Sequence, residues 1–186
     1  MLVMVETWHD CSESVVLWRI VPQGYQTIDA VRPMSLDNAD FHCHGGLAFV
    51  FRQASMRVQK RPLDVSVTTF EYLCGYVSMR SSHFLLIGIY RPGSQAVTAA
   101  FFDELSVVFE QLAMYRCPVV VCGDFNIHVD QLRLVSGHAT RLSQLLQSFD
   151  CQQHVHQPTH TAGHALDLVI IRNDTSISDL RVGDYL

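Results

Sequence analysis

A chain of 186 residues suits one domain, long enough to bury roughly two-thirds of the surface its unfolded form exposes. Apolar residues make up 48% and charged residues 17%, a balance that excludes wholesale disorder. The net charge of −5, with twelve arginines and Lys60 as the single lysine, excludes a general electrostatic pull on nucleic acid but not a local basic rim.

The chain opens on a strand-like run over 2–5 that reaches Glu6 at once, with no basic n-region and no cleavage site. An irregular or briefly helical stretch follows to Val21, then a strand over 25–31 and a polar loop to His44. Gly45-Gly46 opens a strand over 47–51, and 56–60 is placed to pair with it as a hairpin. Two further strands, 70–78 and 84–90, are joined by a polar turn. Over 96–115 the period becomes helical, with Phe101, Leu105, Val108 and Leu112 on one face, Ser94 as N-cap and Pro118 as stop. The β-branched run 119–122 reads as a strand covered on both faces, 140–149 as an amphipathic helix, and 165–171 as another buried strand. Strands with helices inserted between them predict sheets with helices packed outside.

No apolar run approaches the ~20 residues of a membrane span. The six cysteines form no Cys-x-x-Cys pair and several lie in apolar runs, as in a reduced protein. The expected setting is intracellular, nucleus or cytoplasm, without membrane attachment. Ten histidines raise a zinc question, but His154, His156, His160 and His164 lack paired cysteine ligands, and His42-Cys43-His44 reads as a loop. Arg52, Arg57, Lys60 and Arg61 read as a solvated hairpin, Trp8 as a packing residue, and Trp18 as core.

Glu6, Asp124, Asn126 and Asp167 stand at the ends of apolar strands, where side chains are held rigidly with their tips open to a cleft. Carboxylates and carboxamides are hard oxygen donors that suit Mg²⁺ or Mn²⁺ and position water. Phosphodiester hydrolysis needs a polarised phosphoryl oxygen, an in-line water and stabilisation of developing negative charge. Singly, each such residue is more often a cap or turn group; their joint occurrence points to a metal-dependent phosphodiesterase.

Glu6-Thr7-Trp8, Tyr90-Arg91-Pro92, Gly123-Asp124-Phe125-Asn126 and Gly163 to Ile170 occur in the order in which the endonuclease/exonuclease/phosphatase superfamily carries them. The chain resembles that superfamily, most of all the endonuclease domain of LINE-type (non-LTR) retrotransposons, with Gly45-Gly46-Leu47-Ala48 adding to the likeness. The resemblance implies a DNase I-like α/β fold: a four-layer sandwich of two mixed, mostly antiparallel sheets with outer helices. It implies a Mg²⁺-dependent DNA-nicking endonuclease, monomeric, acting on DNA within a parent polypeptide that carries a reverse transcriptase. Glu6 resembles the metal ligand, Tyr90 the tyrosine lining the cleft, Asp124 the group that orients or deprotonates the attacking water, and Asn126 the amide that binds the phosphate and the nucleophile. Asp167 resembles the carboxylate that orients a catalytic histidine. Arg91 and His128 are candidate nucleic-acid contacts. A first metal-ligand strand and a closing Ser-Asp-His are not found in 1–186, so a single domain incomplete at both ends, and impaired, is the expectation. A phosphatase or phospholipase of the same superfamily, or a non-catalytic remnant, are the alternatives.

Overall fold

In order along the chain come β1 (Leu2–Val5), α1 (Val15–Ile20), β2 (Tyr25–Ala30), β3 (Leu47–Arg52), β4 (Met56–Lys60), β5 (Glu71–Met79) and β6 (His83–Tyr90). They are followed by α2 (Ala99–Ala113), β7 (Val119–Asp124), α3 (Gly137–Ser148), β8 (Cys151–Gln153) and β9 (Asp167–Arg172). The computed structural model describes residues 1–9, 15–32, 45–129 and 137–183. The expectations for His42-Cys43-His44 and the Trp18 side chain lie outside the described residues.

Two sheets form: an antiparallel one in the order β1-β3-β2, and a six-stranded one in the order β4-β5-β6-β7-β9-β8, parallel only between β6 and β7. Period-two alternation along β6 divides its side chains between two cores. Leu85, Ile87 and Ile89 join Phe101, Phe102, Leu105, Val108, Phe109 and Leu112 of α2 and Leu142 and Leu146 of α3. Leu86 and Tyr90 face the other way and meet Leu47 and Phe49 of β3. The larger sheet is therefore covered on one face by helices and on the other by the smaller sheet, the DNase I-like arrangement. Phe49 is fully buried against Gly75 and Gly88; a Cβ on Gly88 would lie 2.9 Å from its ring. Two glycines on adjacent strands thus open the socket that lets the sheets close.

Two local expectations are corrected. The strand at Met56–Lys60 does not pair with β3. Both edges of β3 are taken by β1 and β2, so the chain leaves that sheet and β4 pairs with β5 instead. The N-cap of α2 is Thr98, whose hydroxyl accepts from the Phe101 N–H (3.4 Å), and the helix starts later than Ser94 would place it.

Candidate active site

Val5 and Ala30 both pair with Leu47, so the segments leaving β1 and β2 emerge at one sheet edge beside Gly45-Gly46. β1 lies across β6 and β7 of the facing sheet. The residue after β1 is Glu6; the last residues of β6 and β7 are Tyr90 and Asp124, paired in parallel register. The antiparallel partner of Asp124 is Asp167, the first residue of β9. Strand register therefore gathers Tyr90, Asp124 and Asp167, the packing of β1 across the larger sheet brings Glu6 to them, and Asn126 follows Asp124 by two residues. These five line an open cleft of about 540 Å³ together with Arg32 and His160.

The Tyr90 hydroxyl donates to Glu6 Oε1. Asn126 donates twice to Asp124, from its backbone N–H to Oδ1 (2.9 Å) and from Nδ2 to Oδ2 (2.7 Å), and Nδ2 also donates to the Arg91 carbonyl (2.8 Å). Glu6 and Asn126 have φ of 52° and 50°, the left-handed region that costs a non-glycine residue about 1 kcal/mol or more. The surrounding bonds fix the Glu6 turn: Thr7 N–H donates to the Gly46 carbonyl (3.2 Å) and Trp8 N–H to the Gly45 carbonyl (2.8 Å). Behind it the buried His9 ring bridges Thr7 Oγ1 (2.6 Å) and Asp29 Oδ2 (2.9 Å). Arg91 is 3% exposed and donates to the carbonyls of Phe125 (2.7 Å), Asn126 (2.6 Å), Pro92 (3.1 Å) and Gln95 (2.7 Å).

Burial pushes the Asp124 carboxyl up to about 6, and the charges of Asp167 and Glu6 add to the rise against the opposing bonds from Asn126. Burial also raises the Tyr90 phenol, helped by the Glu6 carboxylate, so Tyr90 remains a hydroxyl donor. Among the described residues no three His, Cys, Asp or Glu side chains converge as a ready-made metal cage. Mg²⁺ does not need one, because it is held by one or two carboxylates with water and substrate phosphate completing the shell. Glu6, beside a carboxyl raised by burial and then by its acidic neighbours, fits such a site.

The structure brings together Glu6, Tyr90, Asp124, Asn126 and Asp167 but not the two nucleic-acid candidates. Arg91, expected to touch phosphate, spends its guanidinium on backbone carbonyls and clamps the turn that carries Asp124 and Asn126. His128 is exposed and packs edge-on against His164 (4.2 Å between ring centres) outside the cleft lining. Trp8, expected to pack, is 58% exposed. Its left-handed backbone (φ 51°), tied to Gly45, accompanies that outward position. Sequence reasoning missed Arg32, Glu71 and the Thr7–His9–Asp29 chain. The one available signal for Arg32 was its place just after β2, as Glu6 stands just after β1.

The family model described as endonuclease-reverse transcriptase matches residues 84–185, more than half of the chain. The chain belongs to the endonuclease-reverse transcriptase family. Solved structures of similar fold include the catalytic domain of human Nocturnin with bound sulfate, 18% identical, covering 85% of this chain and 63% of that one at a TM-score of 0.58. The endonuclease domain of TRAS1, a telomere-specific non-LTR retrotransposon, is 14% identical over 82% of this chain and 67% of its own, also at 0.58. A mannosyl-6-phosphatase of Bacteroides thetaiotaomicron is 14% identical over 81% and 64%, at 0.55. These identities show a shared fold, that of the endonuclease/exonuclease/phosphatase superfamily of nucleases and phosphatases. This endonuclease-reverse transcriptase family chain spans about two-thirds of their lengths. No curated protein sequence matches it.

Proposed function

We propose that this chain belongs to a Mg²⁺-dependent endonuclease that nicks DNA for a LINE-type retrotransposon, within a polypeptide that also carries a reverse transcriptase. The observation that carries the reading is the convergence of Glu6, Tyr90, Asp124, Asn126 and Asp167 on one open cleft. The likeness to the TRAS1 endonuclease domain supports the retrotransposon setting.

Each residue has a task that follows from its contacts. Asp124, ionised above a pH of about 6, takes a proton from the attacking water. Asn126 keeps that carboxylate aimed, its two Nδ2 hydrogens going to Asp124 Oδ2 and the Arg91 carbonyl, so contact with a non-bridging phosphate oxygen requires one of them to be released. Tyr90 fixes Glu6, which would hold the metal. When bound, Mg²⁺ supplies charge to the phosphoryl oxygens and the leaving group. Asp167, paired with Asp124 at the start of β9, has the position of a histidine-orienting carboxylate.

The second reading, a phosphatase of the same superfamily, is favoured by the fold shared with the mannosyl-6-phosphatase. A substrate panel separates the two: supercoiled plasmid against a phosphomonoester, each with Mg²⁺ and with EDTA. Nicked circles without phosphomonoester turnover support the endonuclease; the reverse result overturns it.

A further inference from the structure

We propose that Arg32 is the residue that binds the substrate phosphate in this cleft, aimed there by Glu71 and by the space that Gly45 leaves open. The proposal rests on the phosphodiesterase reading of the cleft and adds a substrate contact to it.

Charge poses the problem. Glu6, Asp124 and Asp167 already make the cleft acidic, and a phosphodiester adds another negative charge. The arginine that follows β6 cannot help, because Arg91 is buried on carbonyls. Among the described residues lining the cleft, Arg32 is the one lysine or arginine.

Its geometry is fixed. Arg32 donates through Nε and Nη2 to Glu71 Oε1, and Glu71 Oε2 accepts from the Gly46 N–H (2.6 Å). The guanidinium carbon stands 6.0 Å from the Tyr90 ring centre. The Glu71 side chain is 14% exposed and that of Arg32 35%, so the carboxylate forms the buried base and the guanidinium the accessible tip. A guanidinium has five donors in a planar fork, so one edge can rest on Glu71 while another meets a phosphate oxygen. A Cβ on Gly45 would lie 2.4 Å from Glu71 Oε1 and 2.8 Å from the Arg32 guanidinium carbon, and Gly45 has φ of +130°. The Gly45-Gly46 pair thus has a local physical reason: it seats the ion pair that holds the cation at the cleft.

The test uses the full chain with Mg²⁺ and two probes, inorganic phosphate and a short DNA duplex. In wild type, phosphate should shift the Arg32 Nε–H signal in a nitrogen–proton NMR spectrum and saturate it; the signal is assigned by its absence from Arg32→Lys, which keeps a cation on Glu71. Duplex affinity, read by anisotropy over a range of salt, should fall about tenfold in Arg32→Ala, with the salt slope reduced by about one. Arg116→Ala, an exposed arginine at the far end of β7, should leave affinity and slope unchanged. An Arg32 signal that phosphate does not move overturns the proposal, even if Arg32→Ala fails to fold. So does an unchanged slope in an Arg32→Ala chain that melts like wild type, because a purely structural ion pair would give that result. If phosphate moves the Arg32 signal but plasmid is not nicked, the phosphate site stands and the endonuclease reading falls.

Discussion

Asp124 bears the electrostatic cost of the cleft. Its carboxyl is pushed up to about 6 from an ordinary 3.8, by burial first and then by Asp167 and Glu6. A folded-state pKa above the unfolded one means that protonation favours the fold. The stability from this group is present below about 4 and is lost as pH rises through about 6. Metal-free wild type should therefore lose melting temperature between pH 5 and 7.5, and Asp124→Asn should lose less and melt higher at pH 7.5. Equal pH dependence of the two melts in EDTA would show that Asp124 is not the strained acid. Mg²⁺ should raise the wild-type melt at pH 7.5, since a ligand of the folded state stabilises it by mass action. The residue types at the site were legible in the sequence because oxygen donors closing apolar strands are few. Side-chain direction was not: whether Arg91 points outward depends on carbonyls in the next strand's turn, 34 and 35 residues away.

Strands and helices follow from local pattern, whereas partnership between strands does not. The three residues between β3 and β4 look like a hairpin turn, yet β3 has no edge left for β4. β8 is three residues long and too short to show a period. Gly123 shows how tightly the site-bearing strand is held. A Cβ there would lie 2.0 Å from the Ile89 carbonyl, and its φ is +133°. Gly123→Ala should therefore break the β6–β7 register that sets Tyr90 beside Asp124, costing at least about 2 kcal/mol by denaturant midpoint. Gly137→Ala, with no atom of the described residues beyond its chain neighbours within 4 Å of the new Cβ, should be within about 0.5 kcal/mol of wild type. Similar stability losses in both would remove the steric account. Arg91→Lys tests the clamp on the same turn. A lysine keeps the charge but cannot span carbonyls on both sides of it. Nicking should fall about tenfold or more, while α2 and the sheets keep their circular dichroism. Unchanged nicking would show that the turn holds without the clamp.

At the scale of the whole molecule, the site lies on the seam between the two sheets. The smaller sheet brings Glu6 and Arg32, and the larger brings Tyr90, Asp124, Asn126 and Asp167. Neither sheet holds the constellation alone, so the packing of Phe49 into the Gly75 and Gly88 socket also sets the distance across the cleft. The fold class was readable because apolar periods and motif order survive in a single sequence. The meeting of Arg32 with Glu71 was not, because it depends on two residues 39 apart in the chain closing across two sheets. The most direct measurement is conversion of supercoiled plasmid to nicked circles by wild type and Asp124→Ala, with Mg²⁺ and with EDTA. Nicking by wild type that needs Mg²⁺ and falls at least about a hundredfold in Asp124→Ala is the predicted result. Nicking that persists in EDTA, equal rates in Asp124→Ala, or no nicking by wild type at all would contradict it.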